Sequence, residues 1–265
     1  MPEGNGRITR HQPVEPAQAD AAAAPLSIPP QHFYRTAALP CPYIPGQVER
    51  KLITELAGPE AMDFYNALSR AGFRRSHHLA YRPACAQCQA CVPVRIPVGE
   101  FAPSRSLRRI QKSNADLAIR VARPQATFEQ FRLFARYQRS RHSDSDMASM
   151  TFGDFRAMME DSPVASRVIE LRDAAGAFLG ACLVDVLDDG LSAVYSFFDP
   201  EQRRRSLGTL LVLALVEATR RRGLPYAYLG YWIAESRKMA YKARFRPLEG
   251  LGAAGWRRLA LEPTL

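Results

Sequence analysis

No stretch of this chain approaches the roughly 18 consecutive apolar residues of a helical membrane span, so no membrane partner is expected. The N-terminus also lacks a charged segment followed by a long apolar one, which argues against a secretory signal. Residues 1–30 are instead rich in Pro, Ala and Gln and read as a disordered leader, and the expected address is the cytoplasm. Cysteine and histidine are scarce, at five each. In a reducing compartment the cysteines are not expected to form stable disulfides. No Ser/His/Asp order or His–Cys pairing stands out, so covalent nucleophilic catalysis has no support. Acid is short too: 26 Asp and Glu face 36 Lys and Arg, for a net charge of +10. That balance favours anionic partners, nucleic acid first among them.

What is present is a chain of 265 residues, 47% hydrophobic, enough for one large domain or two modest ones with a real core. Its positive charge is clustered. Arg105, Arg108, Arg109 and Lys112 recur three or four apart on an expected helix and so share a face. Arg203, Arg204 and Arg205 precede a second helix, and Arg220, Arg221 and Arg222 end it. Cations at a helix C-terminus complement its dipole, whereas cations before an N-terminus oppose it, so the first trio is the better functional candidate.

Periodicity predicts helices over Glu60–Ala71, Ser104–Asn114, Thr127–Arg141 and Thr151–Asp161, the third with Phe128, Phe131, Phe134 and Ala135 on one side. Strands are expected over Leu79–Arg82, Val92–Val98 and Leu117–Ala122, and Phe33–Gln47 reads as extended or turn structure punctuated by prolines. From Ser166 the order is hairpin (Ser166–Arg172, Phe178–Leu187), strand (Leu191–Phe198), helix (Ser206–Arg222, Ser206 as N-cap), strand (Tyr226–Trp232), helix (Glu235–Ala243) and strand (Trp256–Leu261). Helix, helix, hairpin, strand, helix, strand, helix, strand is the element order of a GNAT-like acyltransferase. The expected class is therefore α+β: a mixed central sheet flanked by helices, with a smaller N-terminal α/β region. The expected division is a leader (1–30), an N-terminal domain with a cysteine loop (31–115) and a C-terminal GNAT-like domain (116–265).

Cys85, Cys88 and Cys91 are spaced C-x2-C-x2-C, with Cys41 upstream. Four thiolates could close a zinc site or hold an iron–sulfur cluster, but two overlapping pairs on one short loop suit tetrahedral zinc poorly. Reduced, partly buried cysteines are the alternative, and no metal ligand or cofactor is assigned. Cys182 reads as a small core hydrophobe.

The densest chemistry runs from Tyr195 to Pro247. A buried strand passes through a basic loop into a helix whose free N–H groups, with the Ser206 and Thr209 hydroxyls, can hold a phosphate. Arg205-Ser-Leu-Gly208 loosely resembles the pyrophosphate loop of acetyltransferases, but Leu210 stands where its last Gly or Ala would, which argues against coenzyme A. Tyr228, Tyr231 and Trp232 offer aromatic surface for core or for a nucleobase. Lys238, Tyr241 and Lys242 fall on one face of the expected second helix, either a solvated surface or a clamp for phosphate or carboxylate.

SFFDP, SLGT, YLGYWI and KMAYKARFRP resemble the C-terminal domain of arginyl-tRNA–protein transferases. FYRT, CPYIPGQ, GFRRSHHLAYRPACAQCQACVPVRI and SRSLRR resemble their N-terminal domain, with the bacterial aspartate/glutamate leucyltransferase branch most similar. The likeness runs from Phe33 to Glu249; where eukaryotic relatives carry C-x-x-C, this chain has Cys41-Pro-Tyr-Ile44. It implies transfer of leucine from leucyl-tRNA to proteins beginning with Asp or Glu, marking them for N-degron proteolysis. In that reading Asp199 is the base, and Tyr195 and Ser196 bond the ester or amine. Arg205, Ser206, Gly208 and Thr209 meet the tRNA 3′ end, Tyr231 and Tyr241 line the site, and Arg82, Lys238 and Lys242 hold the acceptor carboxylate. Arginyl transfer, an acyl-CoA N-acyltransferase, and a non-catalytic thiol sensor or RNA-binding module are the alternatives.

Overall fold

The computed structural model describes residues 31–141, 145–236 and 238–260, so the expected leader lies outside the described residues. Strands β1 (Tyr34–Arg35), β2 (Leu39–Pro40) and β3 (Val48–Glu49) are two residues each. Pro40, Pro42 and Pro45 withhold ladder donors from this segment and keep its strands short. β4 (Lys51–Glu55), helix α1 (Ala61–Arg70), β5 (Arg74–Ser76) and β6 (Leu79–Pro83) follow, and β1-β4-β6-β5 form a small sheet.

Next come β7 (Val92–Pro97), α2 (Arg105–Ser113), β8 (Ala118–Ala122), α3 (Phe128–Arg141) and α4 (Phe152–Glu160). Ser104 caps α2 through the Leu107 N–H, and Thr151 and Asp154 cap α4 reciprocally. β9 (Ser166–Arg172), β10 (Phe178–Val186), β11 (Gly190–Phe198), α5 (Leu207–Arg221) and β12 (Tyr226–Trp232) match the predicted order. β13 (Glu249–Gly252) and β14 (Gly255–Arg258) close the chain as a hairpin, of which the sequence suggested only the second strand.

The central sheet has eight strands in the order β14-β13-β7-β12-β11-β10-β9-β8. Its β7 comes from the cysteine-bearing N-terminal region and pairs with both β12 and β13. β11 and β12 run parallel, while their outer neighbours are antiparallel. One face is covered by α5 and α2, the other by α3 and α4. α5 is buried nearly all round: of the apolar stripe its spacing predicts, Leu207, Leu210, Leu211, Ala214 and Leu215 are buried and Ala218 is partly buried, and Val212, Leu213 and Val216 join them.

Two expectations need correction. The inward side of α3 is Gln130, Leu133, Phe134 and Gln138, and Phe128 is exposed, stacked on Phe152 at 4.1 Å between ring centroids. The glutamines go inside because Gln130 donates to Glu170 and Gln138 to Tyr195, each at 2.7 Å. Among the described residues of 235–243 no α-helix forms. The Ser236 carbonyl accepts both the Met239 and Ala240 N–H groups, and the chain tightens into a 3₁₀ turn over Ala240–Arg244.

The small sheet is fastened to the large one by a buried ion pair. Arg75 on β5 meets Asp185 on β10 through two bonds of 2.9 and 2.7 Å, and the Ser166 hydroxyl donates to the same carboxylate at 2.8 Å. Both charged side chains are at most 1% exposed. Removing one partner strands the other in a dry interior, so Arg75→Ala is expected to destabilise by about 3–5 kcal/mol. Chemical denaturation checks this; an unchanged midpoint would rule the staple out.

Candidate active site

The parallel pair β11–β12 is short-lived. Gly190, Leu191 and Ser192 pair with Tyr226, Ala227 and Tyr228, and then the two strands part. A bulge falls on each strand just past that point, at Val194 against Leu183/Val184 and at Leu229 between Tyr228 and Gly230. Bulges bend strands and re-aim side chains, and together these open a fork at the C-terminal ends of the pair. α5 starts beside β11 at this end, and the 3₁₀ turn after β12 lies across from it.

Two cations sit inside the fork. Arg74 reaches in from β5 and donates to the carbonyls of Ala193 and, at 2.9 Å, Val194, which the parting strands would leave unpaired. Gly230, at φ +73°, makes room for it: a Cβ there would overlap the guanidinium. Lys242 is 5% exposed and its Nζ donates to the Tyr231 carbonyl. Burial above all, with the nearby Arg74 charge, brings the Lys242 amine down to about 7. Among the described residues neither cation has a carboxylate partner. Buried cations without counter-ions are costly, and an incoming anion would relieve that cost. Arg74 was missed from sequence because the carbonyls it bonds lie 119 and 120 residues away.

The other expected site residues scatter more than the sequence implied. Tyr195 and Ser196 are adjacent on β11 and face opposite sides of the sheet: Tyr195 packs with Phe134, and Ser196 pairs with Cys182 of the other core. They cannot both serve one reacting group from one side. The Tyr195 hydroxyl accepts from Gln138, and burial holds its pKa well above the ordinary phenol value, so it stays a proton donor. Asp199 is 8% exposed, accepts the Glu201 N–H at 3.0 Å and stands 3.5 Å from Arg136.

At the start of α5, Arg205 is held by Asp116 through two bonds of 2.9 Å, leaving Arg203 and Arg204 exposed. Ser206 is left-handed at φ +53° and its side chain caps nothing; its carbonyl instead accepts from Thr209 and Leu210 N–H. Gly208 has a packing reason: its Cβ would stand 2.8 Å from the Phe198 ring. The Leu207 and Gly208 N–H groups find no protein acceptor among the described residues and point out of the helix end.

Across the fork, Lys238, Tyr241 and Lys242 do not share a face, because the 3₁₀ turn sends Lys242 inward and leaves Lys238 exposed. Tyr241 is 38% exposed as a residue, yet local burial pushes its pKa up to about 12. Tyr231 is core: its hydroxyl donates to the Gly72 and Tyr81 carbonyls at 2.9 and 3.1 Å.

Tyr231 also lines a cavity of about 690 Å³ between the small sheet and the β13–β14 hairpin. Arg82, Lys51, Cys41, Cys85, Cys88 and Cys91 line it too. Burial first, then neighbouring Cys41, Cys88 and Cys85, push the Cys91 thiol up to about 11, so it is not a thiolate at pH 7. Among the described residues no three His, Cys, Asp or Glu are arranged to hold a metal ion.

A mixed sheet with one parallel pair splayed beside a helix N-terminus is the plan of a GNAT-like acyltransferase. Sequence comparison narrows the class. The N-terminal model of the arginine-tRNA-protein transferases matches residues 39–109 and the C-terminal model matches residues 129–252. A protein of Paramagnetospirillum magneticum named aspartate/glutamate leucyltransferase is 56% identical over 87% of this chain and 95% of its own length. Proteins of the same name from Granulibacter bethesdensis and Rhodospirillum rubrum are 55% and 54% identical, over 87% and 86% of this chain and 86% and 93% of their own. The chain belongs to the arginine-tRNA-protein transferase family.

Proposed function

We propose that this chain transfers leucine from leucyl-tRNA to the α-amine of proteins that begin with Asp or Glu. The observation that carries the reading is the fork itself, with uncapped N–H groups on one side and, on the other, the buried Lys242 and half-buried Arg74, neither with a carboxylate partner among the described residues. The relatives' shared name supplies the donor and acceptor. The 3′ end of the tRNA would lie against the Leu207 and Gly208 amides, with the Ser206 and Thr209 hydroxyls and Arg203 and Arg204 nearby. Arg205, tied to Asp116, would position this loop beside the 3′ end. The acceptor's acidic side chain would approach Lys242 and Arg74, with Arg82 and Lys238 at the rim of its path.

An aminoacyl ester is already activated, so the protein needs mainly to juxtapose amine and carbonyl and steady the developing oxyanion. The amine nitrogen attacks the ester carbonyl, the carbon–oxygen bond to the ribose breaks, and the released ribose oxygen takes up a proton. An α-amine titrates near pH 8, so part of it is neutral at pH 7 and no strong side-chain base is required. The Tyr195 hydroxyl, held by Gln138 and kept protonated, is the proposed oxyanion donor. The product, with leucine at its N-terminus, would enter N-degron proteolysis in the cytoplasm. Among the described residues no helix is long and apolar enough to cross a membrane, in keeping with such a setting.

Labelled leucyl-tRNA or arginyl-tRNA, offered with peptides beginning Asp, Glu, Arg or Ala, tests the reading. Label is expected only from leucyl-tRNA and only on the Asp and Glu peptides. Label from arginyl-tRNA instead would reassign the donor. Thermal stabilisation by acetyl-CoA and not by leucyl-tRNA would favour an ordinary acyl-CoA enzyme, for which Leu210 and the Phe198-filled space at Gly208 are poorly suited.

A further inference from the structure

Helix α2 divides its surface sharply. Leu107 is fully buried, Ile110 packs against the same core, and the following Asn114 is buried. At 100° per residue, Arg105, Arg109 and Lys112 fall within about 60° of one another on the opposite side. All three are exposed, and none takes part in an ion pair among the described residues. The helix contains no acidic residue. Local energetics do not account for this face. Arg105 stands in the first turn, where a cation opposes the dipole, and Arg105 and Arg109 repel each other at i, i+4.

The end of α2 is joined to the basic loop before α5. Asn114 Nδ2 donates to the Arg205 carbonyl at 2.9 Å, and Arg205 is ion-paired with Asp116 just beyond α2. The exposed Arg203 and Arg204 therefore continue the row that Arg105, Arg109 and Lys112 begin. The acids near this row are Asp116, occupied by Arg205, Asp173, which closes a turn by accepting the Ala177 N–H, and Glu201, exposed in the loop. From Arg105 to Lys112 the row covers about 10 Å of helix axis before it reaches the loop at the mouth of the fork.

We infer that the α2 face and the Arg203–Arg204 loop together form the docking strip for the phosphate backbone of the tRNA acceptor stem. This rests on the proposed donor: a stem whose 3′ end enters the fork at α5 must leave over the elements beside it, and α2 offers an exposed face that carries Arg105, Arg109 and Lys112 and no acid. Phosphate contacts of this kind position the ligand without reading sequence, so the strip would grip any acceptor stem and leave donor choice to the fork.

The test uses the full chain and the triple variant Arg105→Ala, Arg109→Ala, Lys112→Ala. These side chains are exposed, so the variant should melt with the wild type. With leucyl-tRNA, KM is expected to rise about tenfold or more at unchanged kcat, and log KM against log salt to become shallower by about three, one per lost contact. A leucylated CCA trinucleotide, too short to reach α2, should react with both proteins at equal rates. Unchanged KM and salt slope for leucyl-tRNA would overturn the inference, as would equal weakening with the trinucleotide. Loss of binding to vesicles containing phosphatidylglycerol, with tRNA binding intact, would overturn it in favour of a lipid surface. Fluorescence anisotropy with uncharged tRNA keeps the two readings apart. If the wild type fails to transfer leucine yet binds this tRNA and the variant binds it at least tenfold less well, the strip stands and the proposed reaction falls.

Discussion

Lys242→Met is expected to give a protein that is more stable near pH 7 and at least about 100-fold slower on peptides beginning with Asp or Glu. The stability half follows from linkage. The folded-state amine titrates near 7, below the ordinary 10.5 of the unfolded chain, so the unfolded state binds more protons between those values. Wild-type stability must then rise with pH across about 7 to 10.5, and the full penalty of the buried charge is felt at the lower end. The shift corresponds to roughly 3–5 kcal/mol. Part of it is offset in the variant, because the Tyr231 carbonyl loses its donor, a loss of about 1–3 kcal/mol. Denaturation midpoints measured at several pH values should therefore show the variant ahead at pH 7 and the gap closing toward pH 10. Parallel curves would falsify the assignment.

The activity half has a different physical basis. A carboxylate entering the fork would restore the charge on Lys242 and share it with Arg74, a charge-assisted contact whose loss costs about 2–5 kcal/mol when both partners are desolvated. A variant that gained stability and kept its acceptor preference would leave Lys242 a buried oddity without a role.

How much of this was visible beforehand depends on the distance over which each feature is determined. α2, β9 and β12 were legible because their periodicity and caps are local, as with Ser104 at the start of α2. The inner side of α3 was not, since Gln130 and Gln138 read as surface until Glu170 and Tyr195 are seen across from them. Helical spacing put Lys238, Tyr241 and Lys242 on one face, and only the 3₁₀ turn separates the exposed Lys238 from the buried Lys242. Arg205 looked free because its partner, Asp116, sits 89 residues away. The participation of β7 in the central sheet is of the same kind, as pairing with β12 and β13 leaves no mark on the sequence of Val92–Pro97 itself.

The fork depends most on a contact that no local pattern announces, and Gly230→Ala is expected to close it. At φ +73° a side chain is disfavoured by about 1–2 kcal/mol, and a Cβ there would occupy the space of the Arg74 guanidinium. Arg74 must then withdraw from the Ala193 and Val194 carbonyls, which lose its donation, at about 1–3 kcal/mol more. The expected result is a protein about 2–5 kcal/mol less stable, with leucyl transfer reduced at least about 100-fold. Arg74→Ala should reproduce the loss of transfer without the steric clash. Because both changes remove the same wedge, they should not add: the double variant ought to transfer at the rate of the single ones. Additive losses would mean that Gly230 and Arg74 act independently. Non-additive losses would make the guanidinium the spacer that keeps β11 and β12 apart and lets ester and amine meet between them.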